Sequence, residues 1–250
     1  MNLHIESITH FFIENIPDSN AIFIAGPISL IWAVLCLLLA GYLKTNWNFK
    51  TGYTRKIFHF LIFGTVILIH WIWDTSIVCI FGGMTSLVLA YAVIKGNGHI
   101  MYEALAREKD APKRTYYIVI PYFATLLGGL LSNIFLPFTA VFGYLVTGFG
   151  DAVAEPVGTK FGRHQYKVPS IKGTKAIRSI EGSLAVFISS VFALTLWFTV
   201  SDQLTLSSGS FMVILLISLV STLVEAVSPH GWDNATLQVV PALLGVFLFY

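Results

Sequence analysis

Charge is scarce in this chain. Asp, Glu, Lys and Arg make up only 11% of its 250 residues, while 56% are hydrophobic. An ordinary soluble domain carries roughly 25% charged residues. A water-soluble core of this size needs far more polar surface to cover it. With a mean hydropathy of +0.76, the composition belongs in a bilayer. Cysteine is also scarce. Cys36 and Cys79 both lie in apolar runs, with no CxxC pair, which excludes a zinc cluster and a disulfide framework. The first twenty residues contain no Lys or Arg, so they do not read as a secretory signal or transit peptide. Ile5, Ile8, Phe12 and Ile16 recur there at helical spacing, and residues 1–20 are expected to be an interfacial or flexible leader. There is no GxxxxGK[ST] loop, so this is not a P-loop enzyme.

What is present is apolar sequence in long runs. About twenty apolar residues span a bilayer as a helix. On that measure there are about eight segments: Ala21–Leu43, Ile57–Trp73, Ser76–Ile94, Tyr116–Leu131, Ile134–Ala154, Ser183–Val200, Phe211–Val227 and Ala235–Tyr250. The runs are continuous rather than alternating, which favours helices over barrel strands. The expected fold class is an all-α polytopic membrane protein, with residues 21–250 forming one transmembrane catalytic domain.

All fifteen basic residues fall between segments one and two, three and four, or five and six. Under the positive-inside rule these three connections are cytoplasmic, and the connection SPHGWDN shares their side. An integral membrane protein with its active site facing the cytoplasm is expected. The lack of a transit peptide favours a prokaryotic plasma membrane over an organelle membrane.

Chemistry concentrates in GFGDAVAEPVGTKFGRHQYKVPSIKGTKAIRSIEGS, from Gly148 to Ser183. Asp151 and Glu155 are four apart and share a face if the chain is helical there. The residue before a proline is pushed away from helical angles, so the helix is expected to end near Glu155, just before Pro156. Two carboxylates at that edge suit Mg²⁺, which prefers oxygen ligands and substrate phosphates. The basic, glycine-rich loop beyond them suits phosphate oxygens. The positive-inside rule alone accounts for the six cations. It does not account for Asp151, Glu155 and Glu181 where helices meet the loop. Glu225, Asp233 and Asn234 are expected on the same face as Asp151. Arg55 and His59 of RKIFHF lie at the start of segment two.

Together GDAVAEPVGTKFGRHQY, RSIEGS and EAVSPHGWDN, with RKIFHF upstream, resemble the CTP-dependent membrane lipid kinases: dolichol kinase, phytol and farnesol kinases, and a CTP-dependent diacylglycerol kinase. The resemblance covers roughly Arg55 to the C-terminus. It implies transfer of the terminal phosphate of CTP to a lipid alcohol (a polyprenol, phytol, farnesol or diacylglycerol), with Mg²⁺ or another divalent cation. It implies metal ligands Asp151 and Glu155, and catalytic roles for Asp151, Glu155, Glu181 and His59. Nucleotide contacts fall to Gly150, Lys160, Gly162, Arg163, Lys172, Lys175, Arg178, Ser179, Asp233 and Asn234. The expected partners are CTP, the lipid alcohol and the membrane, with no nucleic acid. Thr159 and Arg178 depart from the pattern, since basic residues are common at the first position and Lys at the second. Phosphatidate cytidylyltransferases are a more distant likeness; they also use CTP and metal but attack the α-phosphorus and release pyrophosphate. RKIFHF and EAVSPHGWDN favour the kinases. A non-enzymatic transporter is a further alternative, disfavoured because no repeated half is visible.

Overall fold

A computed structural model describes residues 2–170, 176–201 and 205–249, with side chains described from Ser7 onward. The chain is helical almost throughout. Among the described residues, six helices are long and apolar enough to cross a membrane: α2 (Ser19–Asn46), α3 (Thr51–Ile72), α4 (Thr75–Lys95), α6 (Tyr116–Phe135), α9 (Ile180–Val200) and α10 (Ser208–Val227). Short polar side chains start several of them. Asp18 caps α2, Asp74 caps α4, Ser179 caps α9 and Ser207 caps α10, each accepting a backbone N–H of the first turn. Large apolar side chains remain on the outside, among them Phe23, Ile94 and Phe247, as a lipid-facing surface requires.

Two of the eight expected segments take other forms. The last is α11 (Asp233–Phe249), which has 17 residues. The fifth, expected over Ile134–Ala154, is a broken helix: α7 (Ala140–Leu145), a π-helical turn over Val146–Asp151, and α8 (Ala152–Phe161). This corrects the expected stop at Glu155. Pro156 sits in the middle of α8. The clash before a proline disfavours helical angles without forbidding them, and a proline can lie within a helix whose hydrogen bonding is already irregular one turn earlier.

The chain forms two compact units. The first comprises the residues up to Ile118 together with Asn133–Phe135; the second comprises Val119–Ser132 and the residues from Leu136 on. In the first unit α1 (Asn2–Glu14) precedes α2, and α2 packs against α3, α4 and the short α5 (Ile100–Glu103). The basic connection after α4 is tied down by ion pairs. Arg107 meets Asp110 at 2.7 Å with both side chains buried, Arg114 meets Glu103 at 2.6 Å, and Lys44 of α2 pairs with Glu108. Thr54 Oγ1 donates to the carbonyl of Ala104 at 2.9 Å, holding this connection onto α3.

In the second unit α9 lies against α8, the π turn and α10, while α11 packs on α7 and α10. The approach of α7 to α11 depends on Gly143. A Cβ there would stand 2.1 Å from the carbonyl oxygen of Gln238 and 2.8 Å from its carbon. Those are backbone atoms of a helix and cannot swing aside. Gly143→Ala is therefore expected to destabilise the second unit by about 1–3 kcal/mol or more, seen as a lower thermal midpoint in detergent.

Between α8 and α9 the chain leaves the helical pattern and forms an antiparallel hairpin, β1 (Gln165–Val168) with β2 (Ala176–Ser179). Tyr166 pairs with Arg178 and Val168 with Ala176, and this set is buried or half-buried, while Gln165, Lys167 and Ile177 are exposed. The hairpin thus has an inner and an outer face, as the period of two in a strand dictates.

Candidate active site

The site is built where four elements of the second unit end. The π turn ends on Asp151, which is 3% exposed. A Cβ on Gly150 would lie 2.6 Å from Ser190 Oγ of α9, so the π turn presses closely onto that helix and a larger residue would displace the Ser190 hydroxyl. Glu225, also 3% exposed, lies in the last turn of α10. A helix C-terminus carries partial negative charge, so a buried carboxylate there calls strongly for a cation. Asp233 opens α11, where the helix dipole favours it. One carboxylate oxygen from each of Asp151, Glu225 and Asp233 lies within 4.8 Å of the others.

Arg178 reaches into this cluster from the inner face of the hairpin. Its Nε meets Glu225 Oε1 at 2.8 Å and its Nη2 meets Asp233 Oδ2 at 2.8 Å. Its Nη1 donates to the backbone carbonyls of Glu225 and Ser228. Burial works against the charged guanidinium, but Asp233, Glu225 and Asp151 outweigh it and raise its pKa. Three carboxylates and one guanidinium carry a formal charge of −2 between them, the charge that one divalent cation balances. Oxygens on opposite sides of a Mg²⁺ ion stand about 4 Å apart, so the spacing here suits a shared hard cation after small side-chain rotations.

The residues named from the sequence separate into groups. Asp151, Arg178 and Asp233 come together. Glu225, a polar residue in an apolar setting, joins them as the third carboxylate. Glu155, expected as Asp151's metal partner, lies half-buried in α8 outside the three-carboxylate cluster. The four-residue spacing holds, since the π turn ends on Asp151 and α8 runs on from Ala152, but the carboxylates that meet Asp151 come from α10 and α11. Glu181 accepts His164 Nδ1 at 2.8 Å and the His164 backbone N–H at 3.3 Å, so it fastens the base of the hairpin. Ser179 is occupied as the N-cap of α9. At Gly162 a Cβ would meet the carbonyl of Gly158 at 2.3 Å and Ser179 Oγ at 2.8 Å. Close packing against backbone therefore accounts for Gly162, while Gly150 lies against the Ser190 side chain. Lys160 lies exposed with its Nζ 5.1 Å from the Phe161 ring centroid, and Arg163 is exposed. Lys172 and Lys175 lie outside the described residues. His59 belongs to α3 of the first unit, half-buried, with its ring 4.6 Å from that of Phe63.

Asn234, expected at the nucleotide, is bonded to α6. Its amide donates to Thr125 Oγ1 at 2.8 Å and to the Pro121 carbonyl at 3.3 Å, joining α11 to α6. Asn234→Ala is expected to lower stability by about 1–2 kcal/mol, seen as a lower thermal midpoint in detergent.

Two residues of this region were not singled out from the sequence. Tyr166 lies directly across the hairpin from Arg178, and its hydroxyl shares a 2.6 Å hydrogen bond with Ser183 of α9. The signal that could have found them is the alternation of HQYKV once β1 is recognised as a strand facing RS.

The fold and site define a polytopic helical membrane protein with a buried carboxylate–guanidinium cluster at the ends of its helices. Over 243 residues the chain is 27% identical to a phytol kinase from Synechocystis sp., an alignment that covers 92% of this chain and 94% of that protein. This bears out the resemblance to the membrane lipid kinases carried by the four motifs. It lends nothing to the more distant likeness to phosphatidate cytidylyltransferases. No family model and no solved structure matches the chain.

Proposed function

We propose that this protein is a membrane kinase that transfers the terminal phosphate of CTP to the hydroxyl of a lipid alcohol, with phytol the first candidate. The observation that carries the reading is the buried cluster of Asp151, Glu225, Asp233 and Arg178, in a chain similar along nearly its whole length to a phytol kinase. Phosphoryl transfer needs positioning and charge neutralisation more than covalent help from the protein, and these residues are of the kind that supply both. Asp151, Glu225 and Asp233 would hold Mg²⁺ or another divalent cation, which when bound neutralises phosphate oxygens. Arg178 orients the carboxylates. Lys160 in the last turn of α8 and Arg163 just beyond it, both exposed, contribute positive charge for an incoming nucleotide.

In the reaction the alcohol oxygen bonds to the terminal phosphorus, the bond to the bridging oxygen breaks, and CDP leaves with that oxygen. The hydroxyl proton is assigned to Glu155, one helical turn beyond Asp151 and outside the cluster. Glu155→Gln should then lower kcat with little change in the KM for CTP.

The test is an assay of purified protein in detergent with Mg²⁺, γ-labelled CTP or ATP, and phytol, farnesol, a polyprenol or a diacylglycerol. Label in a lipid phosphate, with nucleoside diphosphate formed, is expected, and the panel identifies donor and alcohol together. No transfer to any alcohol, with pyrophosphate released when phosphatidate is supplied, would replace this reading with the cytidylyltransferase one.

A further inference from the structure

We propose that Tyr166 is a positioning residue: its hydrogen bond to Ser183 holds Arg178 in register with Glu225 and Asp233, and thereby sets the affinity of the cluster for a divalent cation. The inference rests on the reading of that cluster as a cation site.

The hairpin that carries Arg178 is short, with four residues in each strand. A lone two-stranded hairpin is marginal in stability, so its register depends on what ties it to the helices. Two ties hold its base: the Ile180 N–H donates to the His164 carbonyl at 3.0 Å, and His164 meets Glu181. Beyond β1, the His230 N–H donates to the Pro169 carbonyl at 2.9 Å. These ties lie outside the paired strands. Tyr166 lies within them, on the inner face and directly opposite Arg178. Side chains so paired have Cβ atoms about 5 Å apart. Its hydroxyl reaches Ser183 in the first turns of α9, at 2.6 Å. The phenol is partly desolvated and feels the charges of Glu225 and Arg178, with burial and then Glu225 raising its pKa. It therefore stays protonated at neutral pH.

Arg178 is sensitive to such placement. It makes four hydrogen bonds or ion pairs to three residues from two different elements. Its guanidinium is a rigid planar fork, so a small displacement of β2 cannot be absorbed by rotating one N–H at a time. Carboxylates that hold a metal depend on their own hydrogen-bond partners, whose loss typically costs about 10–100-fold in affinity. Tyr166 acts one contact further out, and a smaller factor is expected.

The experiment is a Mn²⁺ titration of the full-length protein in detergent, following free Mn²⁺ by electron paramagnetic resonance. It compares wild type with Tyr166→Phe, Ser183→Ala, the double variant and Asp151→Asn, at a temperature well below each thermal midpoint. Both single substitutions are expected to weaken Mn²⁺ binding by about 3–10-fold, and the double variant no more than either alone, because the two residues share one hydrogen bond. Wild-type affinity in both singles would overturn the inference, as would independent losses that multiply in the double. In either case a Mn²⁺ site abolished by Asp151→Asn would leave the cation reading standing. A wild-type protein without a Mn²⁺ site that depends on Asp151 would overturn both.

Discussion

Asp151→Asn is expected to reduce phosphoryl transfer by about 10²–10³-fold and to leave membrane insertion and folding close to wild type. The substitution keeps the shape of the side chain and removes one negative charge. Asp151 is buried at the end of the π turn, with Glu225 and Asp233 within one ion's reach. Under the proposed function, its charge would serve a cation that neutralises phosphate oxygens. The fold should survive because Arg178 keeps its bonds to Glu225 and Asp233. The check is paired: turnover with saturating lipid and nucleotide, and the thermal midpoint of the same preparation. Near-normal turnover would remove Asp151 from the site.

Arg178→Ala is expected to have the largest effect on stability of any single substitution in the site. It leaves Glu225 buried at the C-terminal end of α10, against the helix dipole, and it strips partners from the backbone carbonyls of Glu225 and Ser228. Breaking a buried ion pair by removing one partner typically costs about 3–5 kcal/mol. Arg178→Lys should recover only part of this, since an ammonium lacks the fork that engages two carboxylates and two carbonyls at once. Thermal denaturation in detergent should rank wild type above Arg178→Lys and Arg178→Lys above Arg178→Ala. Equal midpoints for Lys and wild type would mean that charge alone, and not the fork, holds the cluster.

Much of this architecture is written in local sequence. Continuous apolar runs specify membrane helices because a bilayer accepts little else, and six such helices are present. Asp151, Arg178 and Asp233 stand out because charge at the edge of apolar sequence is costly without a purpose. Their assembly was harder to read. Glu225 and Arg178 are 47 residues apart, and no local period links them. Asp151 and Glu155 are one α-helical turn apart, but the carboxylates that gather around Asp151 come from α10 and α11, which no local spacing links to it. Gly150 and Gly162 illustrate a different limit. A glycine that lets a phosphate approach and a glycine that lets another helix approach look the same in sequence, and here Gly150 lies against Ser190 of α9 and Gly162 against Gly158 and Ser179. Asn234 is similar, since an amide can serve a nucleotide or a neighbouring helix, and it binds Thr125 and Pro121. Tyr166 escaped notice because its role depends on a strand pairing inside an otherwise helical chain.

The most direct measurement is transfer of label from γ-labelled CTP to phytol by purified wild-type protein, run beside Asp151→Asn. Labelled phytyl phosphate formed with CDP by wild type, and lost in a folded Asp151→Asn protein, is the predicted result. Absence of labelled lipid in wild type with phytol and every other lipid alcohol tried, or equal labelling by both proteins, would contradict it.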